Sequence, residues 1–356
     1  MARDCGFLCP RDWSESQASG RESARSRRIL VHPATHQTCA TLAIIMRPAL
    51  LKLPPEILLM VLRWLNPRSK ACLFHAVRRI GTLLTVSDLL SPDEEGNSVL
   101  HYLAREGYEG CLEILARFDI SAEVLNCDGK SPLHYAAQQG HGAIAALLLN
   151  AGCSIDKQDS FGQTPLHLII RNNHLGLLKQ ILTWGASWTL ADENGHTALH
   201  IAAKCGRVSM TEILIENGAR SFDRDRSGLT ALHWSALERN GAIGGLIIES
   251  GAFNLDEPDE NGLSPLHHAA FWGNTQLAAK LLKAGCNPNQ PTHTGWCSIH
   301  HAIHGGHIDM INLLLGYGGD VNVKILTAMT PLRLALTLGD QKIINRLLDA
   351  GANSLE

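Results

Sequence analysis

The chain has few of the features by which a sequence usually reveals its chemistry. Aromatic residues make up 5% and charged residues 18% of its 356 residues, and the formal net charge is −3. Because the chain lacks the basic excess of nucleic-acid-binding proteins, nucleic acid is not an expected partner. No apolar run approaches the ~18 residues of a membrane span, so no membrane insertion is expected either.

Cysteine motifs and nucleotide-binding motifs are also missing. The ten cysteines are scattered, and no two of them form a Cys-x-x-Cys pair. This pattern fits neither a disulfide framework nor a zinc site, and it favours a reducing, cytoplasmic location. The sequence contains no P-loop, no dinucleotide-binding glycine motif and no Gly-x-Ser-x-Gly elbow. We therefore expect no enzyme and no cofactor.

Residues 1–45 show little apolar periodicity and are rich in Arg, Ser and Gly, which predicts a disordered extension. The basic cluster Arg25-Ser26-Arg27-Arg28 has two interpretations, a nuclear signal or a solvated tail. Nothing in this stretch looks like a signal peptide. Met46 directly precedes the first helical pattern, so Met1 and Met46 both stand as candidate translation starts.

Residues 50–90 have a helical pattern that begins with a proline turn, where proline costs no hydrogen bond, and first stops at Asn66-Pro67. The run from Leu53 to Pro67 resembles the first half of an F-box. This resemblance implies a surface that docks the linker subunit of a cullin–RING ubiquitin ligase. The alternative is a helical cap for the repeats that follow, since solenoids need their ends covered. The predicted docking residues are Leu53, Pro54, Ile57 and Leu58.

From residue 93 onwards, histidines recur with a fixed period. Seven lie at positions 101, 134, 167, 200, 233, 267 and 300, at intervals of 33 residues with a single 34. Each follows Leu or Ile, as in Thr164-Pro165-Leu166-His167, and an eighth copy has Arg333 in place of His. This period and signature resemble the ankyrin repeat. The resemblance implies an all-α solenoid with β-hairpin tips, built from eight repeats: 93–125, 126–158, 159–191, 192–224, 225–258, 259–291, 292–324 and 325–356.

The residues within each repeat fit this assignment chemically. Thr164 suits a helix N-cap, and Pro165 suits the first helical position, which needs no N–H. Asp128-Gly129 and Asn194-Gly195 are typical of tight hairpins between units. In the family, the repeated histidine bonds to the capping hydroxyl and to the backbone of the next unit. Left-handed glycines are expected to end the first helices at Gly140, Gly206, Gly273 and Gly306.

A dense group of histidines near residue 300 raises the question of a metal site. His300 and His304 are four residues apart on a predicted helix, which is the spacing of metal ligands. However, His300 and His307 already belong to the repeat pattern, and no acidic or cysteine ligand completes a set. We therefore expect no metal.

The predicted binding site is the groove that ankyrin tips and first helices line in the family. On repeats one to four, this groove is expected to be polar, with Arg171 and Lys204 among its residues. On repeats five to seven it becomes apolar, and large aromatic residues are typical interface anchors. The alternative is that these residues pack on one another, although neighbouring helical positions diverge by about 100° and are hard to bury together. The predicted groove residues are Leu229, Leu237, Leu263, Phe271, Trp272, Trp296 and His304.

The sequence thus predicts a monomeric interaction protein with a protein partner in its groove. Two versions stay open. In the first, the chain is an adaptor whose F-box-like segment docks the cullin–RING linker subunit while the groove selects a substrate. In the second, it is a plain ankyrin scaffold or inhibitor, and residues 50–90 are only a cap.

Overall fold

The computed structural model describes residues 65–76, 85–108, 122–219, 222–251, 254–324 and 329–353. Within these ranges the regular elements are helices, and no strand is present. The predicted docking residues Leu53, Pro54, Ile57 and Leu58, like all of residues 1–45, lie outside the described residues. Two of the described helices precede the repeats, Pro67–Ala76 and Val86–Leu90. A partly buried ion pair of 3.2 Å between Lys70 and Asp88 connects them.

Each repeat contributes a first helix that begins at the histidine motif, and repeats two to eight show a second helix that follows after a short turn. The first helices are Val99–Glu106, Pro132–Gln139, Pro165–Arg171, Ala198–Lys204, Ala231–Leu237, Pro265–Trp272, Ser298–His304 and Pro331–Leu338. The second helices, described from repeat two onwards, are Gly142–Asn150, Leu175–Thr183, Val208–Glu216, Gly241–Glu249, Thr275–Lys283, Ile308–Gly316 and Gln341–Asp349. None of the described helices is both long enough and apolar enough to span a bilayer.

The ends of the first helices follow the predicted chemistry. Pro165 occupies the first turn of its helix. The glycines predicted to be left-handed have positive φ angles, from 68° at Gly206 to 81° at Gly140, so this prediction is confirmed. Repeats three and five lack a glycine at this turn, and Asn173 and Arg239 adopt positive φ there, at 63° and 56°. A side chain with a Cβ is strained in this conformation.

The repeated histidine joins each repeat to the next one. Nδ1 of His167 accepts a hydrogen bond from the backbone N–H of Thr164, which leaves Nε2 as the protonated nitrogen. Nε2 then donates to the backbone carbonyl of His196 in the next repeat, at 3.1 Å. The same forward link to the following repeat is made by His101, His134, His200 and His233. Nε2 of His267 instead bonds to the carbonyl of Gln290, at the end of its own repeat.

A second link runs backwards, from the start of the second helix to the preceding repeat. Nε2 of His141 bonds to the carbonyl of Arg105, and that of His174 to the carbonyl of Gln138. Arg207 and His307 make equivalent bonds to Arg171 and Phe271. Asn240 and Asn274 stand at this position in repeats five and six. Their side-chain oxygens instead accept bonds from their own helices, at Ile243 and Leu277.

Packing of the helices forms one continuous core along the stack. Neighbouring first helices approach one another more closely than neighbouring second helices do. Small buried residues such as Ala136, Ala202 and Ala269 permit this approach. Because the first helices are closer together, the stack curves with the tips and first helices on its inner side. We call this inner face the groove.

The tips correct one expectation. Asp128-Gly129 and Asn194-Gly195 were expected to form β-hairpins, but the described tips are turns without strands. The physical reason is visible at Asp159, whose Oδ1 accepts the backbone N–H groups of Phe161 and Gln163 that a strand partner would otherwise bind. Successive tips are joined by single backbone bonds, such as Ser160 N–H to the Asp128 carbonyl at 2.8 Å.

The last repeat leaves a stacking face uncovered. Ile303 lies at a first-helix position that the following repeat covers, and it is 2% exposed. Leu336 occupies the same position in repeat eight and is 58% exposed. Arg333, which replaces the repeated histidine in this repeat, is also exposed. A histidine there would have no later described carbonyl to bind.

Candidate functional site

The seven groove residues predicted from the sequence lie on the tips and first helices of repeats five to seven. Leu229, at a tip, is only 5% exposed and offers little area to a partner. His304 is exposed at the end of its helix. The other five are half-buried, so part of each is open to solvent: Leu237, Leu263, Phe271, Trp272 and Trp296.

Four of these residues meet in one group of rings. The ring of Phe271 lies edge-on to that of Trp272, with 5.2 Å between the ring centres, and it stacks on the ring of His304, with 5.8 Å between the ring centres. Trp296 contacts His304 at 5.8 Å and His301 at 5.2 Å. We call Phe271, Trp272, Trp296, His301 and His304 the aromatic cluster. Such ring pairs contribute about 0.5–1.5 kcal/mol each beyond area burial. The rings pack on one another and also keep a partly open surface.

His301 forms the floor of the aromatic cluster and was not among the predicted site residues. It is 3% exposed, and its ring also lies 5.4 Å from His267 of the preceding repeat. Burial holds the pKa of His301 well below its usual value, and the neighbouring imidazoles lower it further. The ring is therefore neutral, and its Nε2 is buried without a hydrogen-bond partner.

A pairing rule within the repeats explains why this nitrogen has no partner. In several repeats, the side chain of the residue just after the repeated histidine forms a hydrogen bond with the first tip residue. These two positions are nine residues apart. Tyr102 donates to Asp93 Oδ2 at 2.6 Å. Trp234 donates to Asp225 Oδ2 at 2.9 Å, and His268 Nε2 lies 2.9 Å from Asp259 Oδ2. In repeats one, five and six, a tip carboxylate thus accepts a hydrogen bond from the side chain that follows the repeated histidine.

In repeat seven the carboxylate of this pair is missing. Thr292 stands where the tips of repeats one to six have Asp or Asn, nine residues before His301. The Thr292 hydroxyl is already engaged, because it accepts the backbone N–H of Trp296 and contacts the Thr294 hydroxyl at 3.0 Å. His301 therefore occupies the position that pairs with a tip carboxylate in other repeats, but repeat seven has no carboxylate to accept its hydrogen bond. Nε1 of Trp272, in the same cluster, is a second buried nitrogen with no partner.

Repeat three shows the opposite defect and a residue that the sequence reasoning missed. Leu168 follows the repeated histidine there, and Oδ2 of Asp159 is buried without a donor. Burial raises the pKa of this carboxyl. Phe161, at the same tip, is 53% exposed. An aromatic residue just before the tip glycine was the signal that could have identified it.

Charged side chains contact aromatic and histidine rings at the centre of the groove. Lys204, predicted as a polar groove residue, places its ammonium 4.2 Å from the centre of the Trp234 ring, a cation–π contact. The His196 ring lies between two tip carboxylates, 3.3 Å from Asp192 and 3.6 Å from Asp225. The polar and apolar parts of the groove therefore meet at Trp234.

The histidines near residue 300 do not assemble into a ligand set. His300 is buried while His304 is exposed, and each ring lies against Trp296, at 5.9 Å and 5.8 Å. Among the described residues, no group of three or more His, Cys, Asp or Glu side chains is placed to hold a metal ion.

Stacked helix pairs, joined by turns and linked forwards and backwards by histidines, define a repeat solenoid, a class that presents an extended binding face. A family model described as ankyrin repeats (3 copies) matches residues 73–159, 147–225, 166–255, 221–292 and 276–355. Because these matches together cover most of the chain, the protein belongs to the ankyrin-repeat family. No curated protein gave a significant match. Ankyrin repeats generally bind protein partners, which makes the groove the candidate interaction site.

Proposed function

We propose that the protein is an interaction adaptor whose partner binds the groove at repeats five to seven. The observation that carries this proposal is the aromatic cluster, in which half-buried Phe271, Trp272 and Trp296 form one partly open surface next to exposed His304. Interface hot spots are enriched in such rings, with polar residues around them. Leu237 and Leu263 extend the apolar area towards repeat five.

The polar part of the groove has a different role in this proposal. Arg171 and Lys204 are exposed on repeats three and four. Charges at the edge of an interface mainly affect the association rate and its dependence on salt. Losing either charge should therefore reduce affinity much less than losing a ring of the aromatic cluster.

The test is affinity purification with the full chain, comparing wild type with Trp296→Ala, Trp272→Ala and the control Arg171→Ala. Truncation of a hot-spot ring commonly costs ~2 kcal/mol or more, about thirtyfold in affinity. We expect proteins retained by wild type and by the Arg171 variant to be lost from both Trp variants. Circular dichroism shows whether each variant keeps its helices. If well-folded Trp variants retain every protein that wild type retains, this surface is not the binding site.

We further propose, from the F-box resemblance of residues 53–67, that the adaptor presents its partner to a cullin–RING ubiquitin ligase. The support is the sequence run Leu53-Pro54 through Asn66-Pro67, and the family match begins only after it, at residue 73. The plain scaffold with an N-terminal cap is the competing function. Its support is the partly buried Lys70–Asp88 pair, which connects the start of the described chain to the helix before repeat one.

The double variant Leu53→Ala, Pro54→Ala separates these two functions. An adaptor should lose recovery of cullin and its linker subunit while the array unfolds at an unchanged temperature. A cap should show a lower unfolding temperature, with no cullin recovered from either wild type or variant.

A further inference from the structure

The unpaired His301 suggests which chemical group the partner brings to the aromatic cluster. In repeats five and six, the residue at the equivalent position, Trp234 or His268, bonds to a tip carboxylate at 2.9 Å. In repeat seven, Thr292 removes that carboxylate while the imidazole remains, buried and unbonded at Nε2. A buried polar atom without a partner is unfavourable, so a partner group that satisfies it strengthens binding.

The acceptor expected at this position is a carboxylate, because a carboxylate binds the equivalent side chain in repeats one, five and six. The imidazoles that act electrostatically on His301 belong to His267, His268, His300 and His304. The one carboxylate bonded within this group is that of Asp259, which pairs with His268. Because burial lowers the pKa of His267, His300 and His301, these rings are neutral, and what the site has in excess is buried nitrogens without hydrogen-bond partners. Trp272 adds an indole N–H, which can only donate and has no partner.

We propose that the aromatic cluster binds an aspartate or glutamate side chain of the protein partner, whose carboxylate accepts a hydrogen bond from His301 in place of the missing tip aspartate. This inference rests on the proposed function of the groove. The rings next to His301 cover its Nε2, and the carboxylate reaches it when half-buried Trp296 turns outward. The groove continues past the cluster to Leu263 on one side and repeat eight on the other. The carboxylate therefore comes from a side chain within a passing segment, and a chain terminus is the alternative that the test can reveal.

The other repeats indicate which substitution tests this proposal. Thr292→Asp restores the residue that repeats one, three, four, five and six have at this position: Asp93, Asp159, Asp192, Asp225 and Asp259. It should satisfy His301 from within the chain, raise the unfolding midpoint and remove the site for a partner carboxylate. His301→Leu copies the residue of repeat three and removes the donor. Asn261→Asp, at an exposed tip of repeat six, adds the same charge without reaching His301 and is the matched control.

The probe is a library of random linear peptides displayed on phage, selected against the full wild-type chain. We expect enriched peptides that need Trp296 and that carry an internal Asp or Glu. Replacing that residue by its amide should weaken binding to wild type and to Asn261→Asp about tenfold, roughly the value of a charge-assisted hydrogen bond. The same replacement should have almost no effect on binding to Thr292→Asp or His301→Leu.

Three results would overturn the inference while leaving the groove as a binding site. The first is that peptides dependent on Trp296 carry no acidic residue. The second is that the acid-to-amide loss is equal on wild type, Thr292→Asp and His301→Leu. The third is that only a free C-terminal carboxylate is recognised. By contrast, if no selected peptide depends on Trp296, the proposed function itself fails at this surface.

Discussion

The buried repeated histidines should make the array lose stability steeply in mild acid. Burial lowers the pKa of His134, His200 and His267 to about 4, and burial together with neighbouring His268 lowers that of His233 to about 3, against an ordinary value of 6.5. Below pH 6.5 these histidines are therefore protonated in the unfolded chain but stay neutral in the folded chain. The stabilisation is complete above that pH and is lost as the pH falls towards 4.

The size of the effect follows from proton linkage. Each such histidine reduces the free energy of unfolding by about 1.4 kcal/mol for every pH unit between its two pKa values. At about one unit below 6.5, the four histidines together reduce it by up to about 5 kcal/mol, a large part of the stability of an ordinary domain. Urea unfolding followed by circular dichroism, repeated across this pH range, measures the slope.

His200→Gln provides the decisive comparison. At neutral pH it should destabilise the array by ~1–3 kcal/mol, because Thr197 N–H and the Leu229 carbonyl lose their partner. The free energy of unfolding of this variant should change less steeply with pH than that of wild type, because one fewer histidine takes up a proton on unfolding. The two curves of free energy against pH should therefore converge in acid. His293→Gln, at an exposed tip position, is the control. Parallel curves for wild type and His200→Gln would refute the reasoning.

Two further predictions concern the backbone and the end of the stack. Arg239 has a φ of 56°, so Arg239→Gly should relieve strain and raise the free energy of unfolding by about 1 kcal/mol, whereas an equal or lower urea midpoint would argue against strain there. Ile303→Ala should cost ~2–5 kcal/mol because the following repeat buries this side chain, and Leu336→Ala at the exposed equivalent position should change stability by less than about 0.5 kcal/mol. Chemical denaturation measures both, and similar losses would mean that something covers Leu336 in solution.

The repetitive part of the fold was predictable because each signal occurs many times. The histidine period located the first helices, and the glycine positions located the left-handed turns. The tips were predicted less well, because Asp-Gly sequences suit both hairpins and turns. Only the structure shows that the carboxylate of Asp159 takes the backbone N–H groups that a strand would use.

The positions of the aromatic residues in the fold were predictable from the sequence, but the chemistry of the cluster they form was not. Counting along the period placed Phe271, Trp272 and Trp296 on the groove. His301 was part of the histidine group near residue 300 but was not named as a site residue, because the pairing across nine residues is a three-dimensional contact that the sequence does not show. Once His268 and Asp259 are seen in contact, the exchange of aspartate for Thr292 can be read directly from the sequence.

The backward links between repeats are unevenly distributed, and this affects how the array unfolds. They are present at the first three junctions, through His141, His174 and Arg207, and again between repeats six and seven through His307. At the two junctions between, Asn240 and Asn274 cap their own helices instead, and Asn274 Nδ2 is buried without a partner. In a solenoid, cooperativity spreads only as far as neighbouring repeats are coupled. Repeat five therefore has no backward link on either side, and it is coupled to its neighbours through helix packing and the forward bonds of His200 and His233.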